Sequence, residues 1–366
     1  MNAPTGMLAP QDTVLNPTIL ARAKWAFTTR RVALDQDARL GLSRNLRAAR
    51  PGDLVLGRVQ CIGSQKRLQL TSGRPSQLYP GDLIVVTCGA RYAPDQFEGL
   101  AKLSPSGADL LASGGVLGRM RWRNAKMASP TSVTPIGLLI GDDGTAVNVA
   151  DYAIPERPGP TIPVIGAVGA SMNSGKTAAA ASLAHGLVRA GYRVAAIKAT
   201  GTGAFGDYNA YVDSGAHHVA DFLDAGMVST YLEPISRIAR ATDALLAGAA
   251  LAGCDVAVVE LADGVLQKET AALLKDAIYR KRFAGFLLAV PDSLAATGGA
   301  SVLSRIGIRP LALTGLMTQS PMATAEAEVA TGLEVASRET LRDPAFATAL
   351  LNRAGSGLAN RRLETT

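Results

Sequence analysis

The sequence predicts an α/β protein in two parts: a C-terminal domain whose mostly parallel sheet is covered by helices, preceded by a small β-rich, barrel-like N-terminal domain. Three observations carry this. Beyond residue 160, apolar runs of five to seven residues alternate with long Ala- and Leu-rich segments of helical period, as expected for strands buried on both faces. Before residue 155, short strand-like runs are punctuated by turn residues. Between the two textures lies a proline cluster, Pro155, Pro158, Pro160 and Pro163, which reads as a linker.

With 366 residues, 48% hydrophobic and 18% charged, the chain can bury more than one core. The expected division is an N-terminal arm over 1–25, punctuated by Pro4, Pro10 and Pro17, then a basic β-rich domain over 26–154. A linker over 155–162, a C-terminal domain over 163–354 and a flexible polar tail over 355–366 complete it. In the β-rich part, Pro51-Gly52-Asp53-Leu54-Val55-Leu56 recurs as Pro80-Gly81-Asp82-Leu83-Ile84-Val85. Each copy is a turn feeding a strand, and two related hairpins at that spacing suggest a small barrel or curled sheet. In the C-terminal part the strand-like runs are 163–168, 193–198, 255–261, 285–290 and 311–316. Helical period marks 177–190, 208–225, 236–252, 269–282, 295–306 and 338–351.

Lys and Arg total 37 against 30 Asp and Glu, a net charge of +7. The whole surplus lies before residue 161, with runs such as Arg30-Arg31 and Arg119-Met120-Arg121-Trp122-Arg123. Aromatic residues are only 5% of the chain and no nucleic-acid-binding signature accompanies the arginines, which argues against a nucleic-acid partner. An acidic ligand or a solvated face accounts for the surplus better. The three cysteines form no paired motif and suit reduced thiols of a cytoplasmic protein. The most apolar stretch, 244–254, is about half the roughly 20 residues a membrane span needs, so no membrane role is expected. His217 and His218, adjacent on an expected helix, face about 100° apart and are poorly placed to share a metal.

The most informative segment is Gly169-Ala170-Ser171-Met172-Asn173-Ser174-Gly175-Lys176-Thr177. It follows an apolar strand and opens a helix, the setting of a phosphate-binding P-loop. Backbone N–H groups at a helix start converge on one point, where the helix dipole favours an anion. Gly175 admits close approach of the phosphates, Lys176 reaches the β- and γ-phosphates, and the Thr177 hydroxyl ligates Mg²⁺. The usual first glycine of the pattern is here Ala170, with Gly169 before it. A second feature is Asp255-Val256-Ala257-Val258-Val259-Glu260, an apolar strand ending in an acid as a Walker-B strand does.

The loop resembles that of dethiobiotin synthetase, where glycine also stands six residues before the Gly-Lys-Thr. That class also holds the septum-site ATPases and the molybdopterin guanine-dinucleotide GTP-binding proteins. The septum-site and partition ATPases carry a second lysine near the start of the loop. This chain has Ser171 there, which argues for a small-molecule enzyme or cofactor-related nucleotide binder. The resemblance covers about 162–340. It implies that Lys198, ending the second strand before Thr200-Gly201-Thr202-Gly203, is a second cation on the phosphate or on an acidic substrate. It also implies that Asp207 binds Mg²⁺, with Asp213 as competitor, and that Glu260 is the metal-holding acid. Asp263 is a further candidate on the substrate side. No asparagine follows the late strand to read adenine and no Asn-Lys-x-Asp reads guanine; Gln319 is the candidate amide for the base. The resemblance further implies a homodimer.

The expected function is therefore phosphoryl transfer from ATP, with GTP left open, in small-molecule metabolism, as a kinase or as a ligase that activates a carboxylate or carbamate. Lys176, Lys198 and Glu260 would be catalytic, Gly169 to Thr177 and Gln319 would bind the nucleotide, and Thr177, Asp207 and Glu260 would hold Mg²⁺. The alternatives are a nucleotide-binding accessory protein for cofactor insertion or partner activation, or a P-loop domain for coenzyme A or another phosphate-bearing cofactor.

Overall fold

The computed structural model describes residues 12–34 and 40–363. Its contacts define two compact units. One comprises the chain to Ile154 with the segments Thr202–Phe205 and Leu223–Leu232; the other comprises 155–201, 206–222 and the chain from Glu233 onward.

The second unit carries six parallel strands: β1 (Val164–Gly169), β2 (Val194–Lys198), β3 (His218–Asp221), β4 (Val256–Glu260), β5 (Gly285–Ala289) and β6 (Ala312–Thr314). Their order is β3-β2-β4-β1-β5-β6. Every residue of β1, β2, β4 and β5 is buried, which is why these strands read as unbroken apolar runs. The helices are α1 (Lys176–Arg189), α2 (Phe205–Asp213), α3 (Ile235–Leu251), α4 (Lys268–Lys275), α5 (Ala277–Arg280) and α6 (Ser293–Ser304). Three more follow: α7 (Pro321–Thr331), α8 (Arg338–Arg342) and α9 (Pro344–Leu363). Helix α1 buries Ala180, Leu183, Ala184 and Leu187 in a core shared with Ile165, Val194, Leu287 and Leu350.

Four expectations need correction. The helix expected over 208–225 stops at Asp213: Gly215 takes a left-handed φ of 81°, and the chain returns as the edge strand β3. The segment 269–282 breaks at Asp276, whose carboxylate accepts from the N–H groups of Ile278 and Tyr279 and starts α5. The segment 338–351 breaks at Asp343-Pro344, because proline has no N–H to continue the ladder. The tail expected to be loose from residue 355 is helical to Leu363; no proline interrupts it, and Ala354 is anchored in the core. Residues 364–366 lie outside the described residues.

In the first unit, five strands close on themselves. Thr131–Ile140 pairs with Leu54–Cys61, which pairs with Leu83–Cys88, then Val116–Arg123, then Ala108–Ala112, which returns to Thr131–Ile140. The small barrel expected from the duplication is present. The two repeats feed neighbouring antiparallel strands, and Gly52 and Gly81 make the same left-handed turn, with φ of 92° and 93°. Of the expected arm, residues 1–11 lie outside the described residues. From Asp12 onward it is built into the unit: Asp12–Val14 pairs with Gly41–Ser43, and Lys24–Trp25 pairs with Ile84 and Val85 of the barrel. The two later segments are held within this unit by polar bonds. Arg30 Nη2 lies 2.7 Å from Asp224 Oδ2, the Phe205 N–H donates to Gln69 Oε1 at 2.8 Å, and Tyr231 OH donates to Glu98 Oε1 at 2.9 Å.

Candidate functional site: a P-loop beside two carboxylates

The loop from Gly169 to Thr177 joins β1 to α1, so its N–H groups gather where the helix has no partners of its own for them. Gly175 caps the helix with φ of 98°, and a Cβ there would lie 3.0 Å from the Gly315 Cα. At Gly169 a Cβ would come within 2.3 Å of Ser174 Oγ and 2.8 Å of the Lys176 side chain. The glycine one place early, which the motif pattern leaves unexplained, thus makes room for the loop's own serine and lysine. Asn173 adopts a left-handed φ of 59°, a conformation asparagine tolerates better than most residues. The loop is held from outside by Ala170 N–H on Ala289 O at 2.9 Å and Leu316 N–H on Ser174 O at 3.1 Å.

The chemical groups are delivered by register. β2 and β4 pair with Lys198 opposite Glu260, and β3 pairs with Asp221 opposite Lys198, so three ionisable side chains end adjacent strands in one row. Lys198 is 9% exposed and Glu260 2%. The Lys198 ammonium bonds Asp207 of α2 and lies 4.0 Å from Glu260 Oε1. The Thr177 hydroxyl sits 3.1 Å from Asp207 Oδ1 and 3.0 Å from Glu260 Oε2, and with one proton it donates to one at a time. Tyr211, 1% exposed, donates its phenolic proton to Glu260 Oε2. Lys176 folds back onto the Ser171 carbonyl at 2.8 Å.

Burial alone would lower the Lys198 pKa, but the Glu260 and Asp207 carboxylates outweigh it and hold the group cationic. Burial raises the Asp207 carboxyl, and the Lys198 charge and hydrogen bond reverse this to a net lowering. Lys176 has its pKa lowered, by burial first, against the pull of Glu260 and Asp263. Asp263, in a left-handed φ of 65°, is pushed up to about 6 by burial, despite the opposing charges of Lys176 and Lys198. The Tyr211 phenol is driven up by burial and by Glu260, so it stays a donor.

The structure therefore brings Lys176, Thr177, Lys198, Asp207 and Glu260 to one place, with Asp263 in their electrostatic field. It separates Asp213 from the Thr177 hydroxyl's partners and lines a neighbouring cavity with it. Gln319 is exposed on the short helix Leu316–Gln319, whose first N–H grips the phosphate loop. Sequence reasoning missed Tyr211 and Asp221. Both lie in the stretch taken for one long helix, and the Ser214-Gly215 pair was the available signal that it ends. Among the described residues no cluster of three or more His, Cys, Asp or Glu could hold a metal alone. A hydroxyl flanked by the buried Glu260 carboxylate and the half-buried Asp207 carboxylate, beside a loop whose N–H groups suit an anion, fits a hard cation that takes its remaining oxygens from a phosphate and water.

Among the described residues no helix is long and apolar enough to cross a membrane. Cys61, Cys88 and Cys254 are free thiols. No protein-family model matches the chain, and no curated protein matches it. Among solved structures it is similar to the signal recognition particle 54 kDa protein from Aeropyrum pernix K1 in complex with GDP. The identity is 22% and the TM-score 0.34, covering 59% of this chain and 53% of that one. It is also similar to the signal recognition particle receptor FtsY from Elizabethkingia anophelis, at 17% identity and a TM-score of 0.37, covering 54% of this chain and 68% of that one. This chain spans about half the length of the first of these proteins.

Proposed function

We propose that this protein binds a nucleoside triphosphate with Mg²⁺ at the Gly169–Thr177 loop and acts on its terminal phosphate. The observation that carries this is the Thr177 hydroxyl lying 3.1 Å from Asp207 and 3.0 Å from Glu260, next in sequence to the loop lysine. The loop N–H groups donate to the phosphate oxygens. Lys176 exchanges the Ser171 carbonyl for a phosphate oxygen, and Lys198 supplies a second positive charge already in place. Thr177, Asp207 and Glu260 would hold Mg²⁺, and the cation would supply neutralisation of the phosphate charge. Tyr211 fixes one oxygen of Glu260 and leaves the other facing Lys198. Transfer of the phosphate to a small acidic molecule is the reading we favour.

A second reading, an accessory nucleotide-driven switch, has one observation of its own. Leu316 and Gly315 rest directly on the phosphate loop, so a nucleotide that shifts Ser174 or Gly175 shifts the segment after β6. Melting of the protein with ATP, GTP and coenzyme A, each with and without Mg²⁺, tests the proposal; GTP is included because one similar structure holds GDP. A triphosphate with Mg²⁺ at about 100 times its Kd should stabilise the fold by about 2.7 kcal/mol. Lys176→Ala should lose that gain while folding normally. Stabilisation by none of the three, or equal stabilisation of the variant, overturns the proposal. Phosphate release stimulated by a small acid selects the first reading over the switch.

A further inference from the structure

Alongside α1, on the flank facing α2 and α8, lies a cavity of about 510 Å³. Its wall includes Thr177, Ser182, His185, Asp213, Arg338 and Arg342, all within the second unit. Four features of that wall are left without a role by the phosphate site. Ser182 is 2% exposed and its hydroxyl has no hydrogen-bond partner. A serine inside a helix ordinarily gives its proton to the carbonyl four residues back; this one does not. Ser182 lines the cavity, and a buried hydroxyl left unpaired there can bond an occupant that the wall closes around.

Arg338 and Arg342 stand one helical turn apart on α8, and neither forms an ion pair among the described residues. Glu339, between them in sequence, is fully exposed to solvent and feels both charges only after its local hydrogen bonds. Two guanidiniums so placed suit one carboxylate. His185 Nδ1 lies 3.1 Å from the Ser214 carbonyl. A carbonyl only accepts, so Nδ1 carries a proton and Nε2 is the ring nitrogen left for an occupant. Asp213 is exposed, likewise makes no ion pair among the described residues, and is an acceptor.

One wall thus offers cations and another offers acceptors. The geometry points to a binding site for a small carboxylate that also carries a hydrogen-bond donor, that is, a hydroxy acid or an amino acid. Its carboxylate sits on Arg338 and Arg342, and its donor group faces Asp213 and His185 Nε2. The Ser182 hydroxyl bonds the occupant between them. Because Thr177 belongs both to this wall and to the metal-holding group, the occupant lies beside the phosphate site. This names the class of the small acid and rests on the nucleotide reading for its role, though not for its binding.

Titration calorimetry of the full chain without nucleotide tests the site. The probes are malate and citrate as hydroxy acids, glutamate and serine as amino acids, and succinate as a dicarboxylate lacking a carbon-bound donor. One of the first four should bind, and which pair it belongs to decides between hydroxyl and ammonium. Arg338→Ala with Arg342→Ala should weaken that probe by about a hundredfold. Ser182→Ala should weaken it about tenfold while the ligand-free melting temperature holds, since no hydrogen bond is lost. Lys176→Ala should leave it unchanged, so failure of nucleotide binding and failure of this site are separable. Absence of binding by all four, succinate binding as tightly as the best of them, or equal affinity in the double arginine variant overturns the inference. A fall in ligand-free stability in Ser182→Ala would mean that the hydroxyl has a structural partner, and would overturn its role as a contact.

Discussion

Asp263 follows β4 by three residues, is half-buried and holds a left-handed backbone. Burial moves its pKa from 3.8 to about 6 against the attraction of Lys176 and Lys198. The raised value means that the folded protein binds a proton more tightly there than the unfolded chain does. Between the two values the native state holds more protons, so stability falls as pH rises through that window, and the full penalty is present above it. A shift of about two units at 1.36 kcal/mol per unit gives about 3 kcal/mol as an upper figure, and partial solvent screening brings it to about 1–3 kcal/mol. Asp263→Asn keeps the shape, removes the charge and tolerates the positive φ. The variant should match the parent near pH 4 and exceed it by about 1–3 kcal/mol near pH 8, or about 2–4 °C of melting temperature per kcal/mol. Urea unfolding of both proteins across that range is the assay. Equal stability at both ends, or a less stable variant at high pH, would show that Asp263 is not held against its ionised form.

Three other perturbations address the same centre. Lys198→Met leaves Asp207 and Glu260 without their buried counter-charge and should cost about 3–5 kcal/mol in urea unfolding, part of it recovered on adding Mg²⁺. Gly175→Ala forces a side chain into a φ of 98° and to 3.0 Å from Gly315; a loss of about 1–3 kcal/mol in thermal melts should accompany loss of nucleotide-induced stabilisation. Tyr211→Phe removes the phenolic donor from buried Glu260 and should cost about 2 kcal/mol, with Mg²⁺ affinity measured by calorimetry shifting alongside.

The strands buried on both faces were legible because burial on both sides leaves no polar position to confuse the pattern. β1, β2, β4 and β5 fall within a residue or so of the apolar runs. The phosphate loop was legible for a different reason: its chemistry is confined to consecutive residues. Lys198 beside Glu260 was not legible in that way, because strand order decides who neighbours whom, and the two are 62 positions apart in the chain but paired in register. The edge strand β3 was lost because His217-His218-Val219-Ala220-Asp221 is wetter at its N-terminal end than at its C-terminal end and sits after a helix, where helical period runs on through it. With β3 went Asp221, and with the true end of α2 went the position of Tyr211. The cavity beside α1 draws on three helices whose meeting no local pattern encodes.

The ion pair of Arg30 with Asp224 spans 194 residues, and both partners belong to the first unit. On the ribosome the barrel strands emerge first, yet Thr202–Phe205 and Leu223–Leu232 are not made until β1, α1 and β2 have followed. Bonds that close only over such a separation form late. The first unit must therefore wait, unfinished, while about a third of the second is synthesised, and a cut at residue 155 would not yield two self-sufficient halves. The order of assembly is written into the threading of the chain: barrel begun, sheet begun, barrel completed, sheet completed.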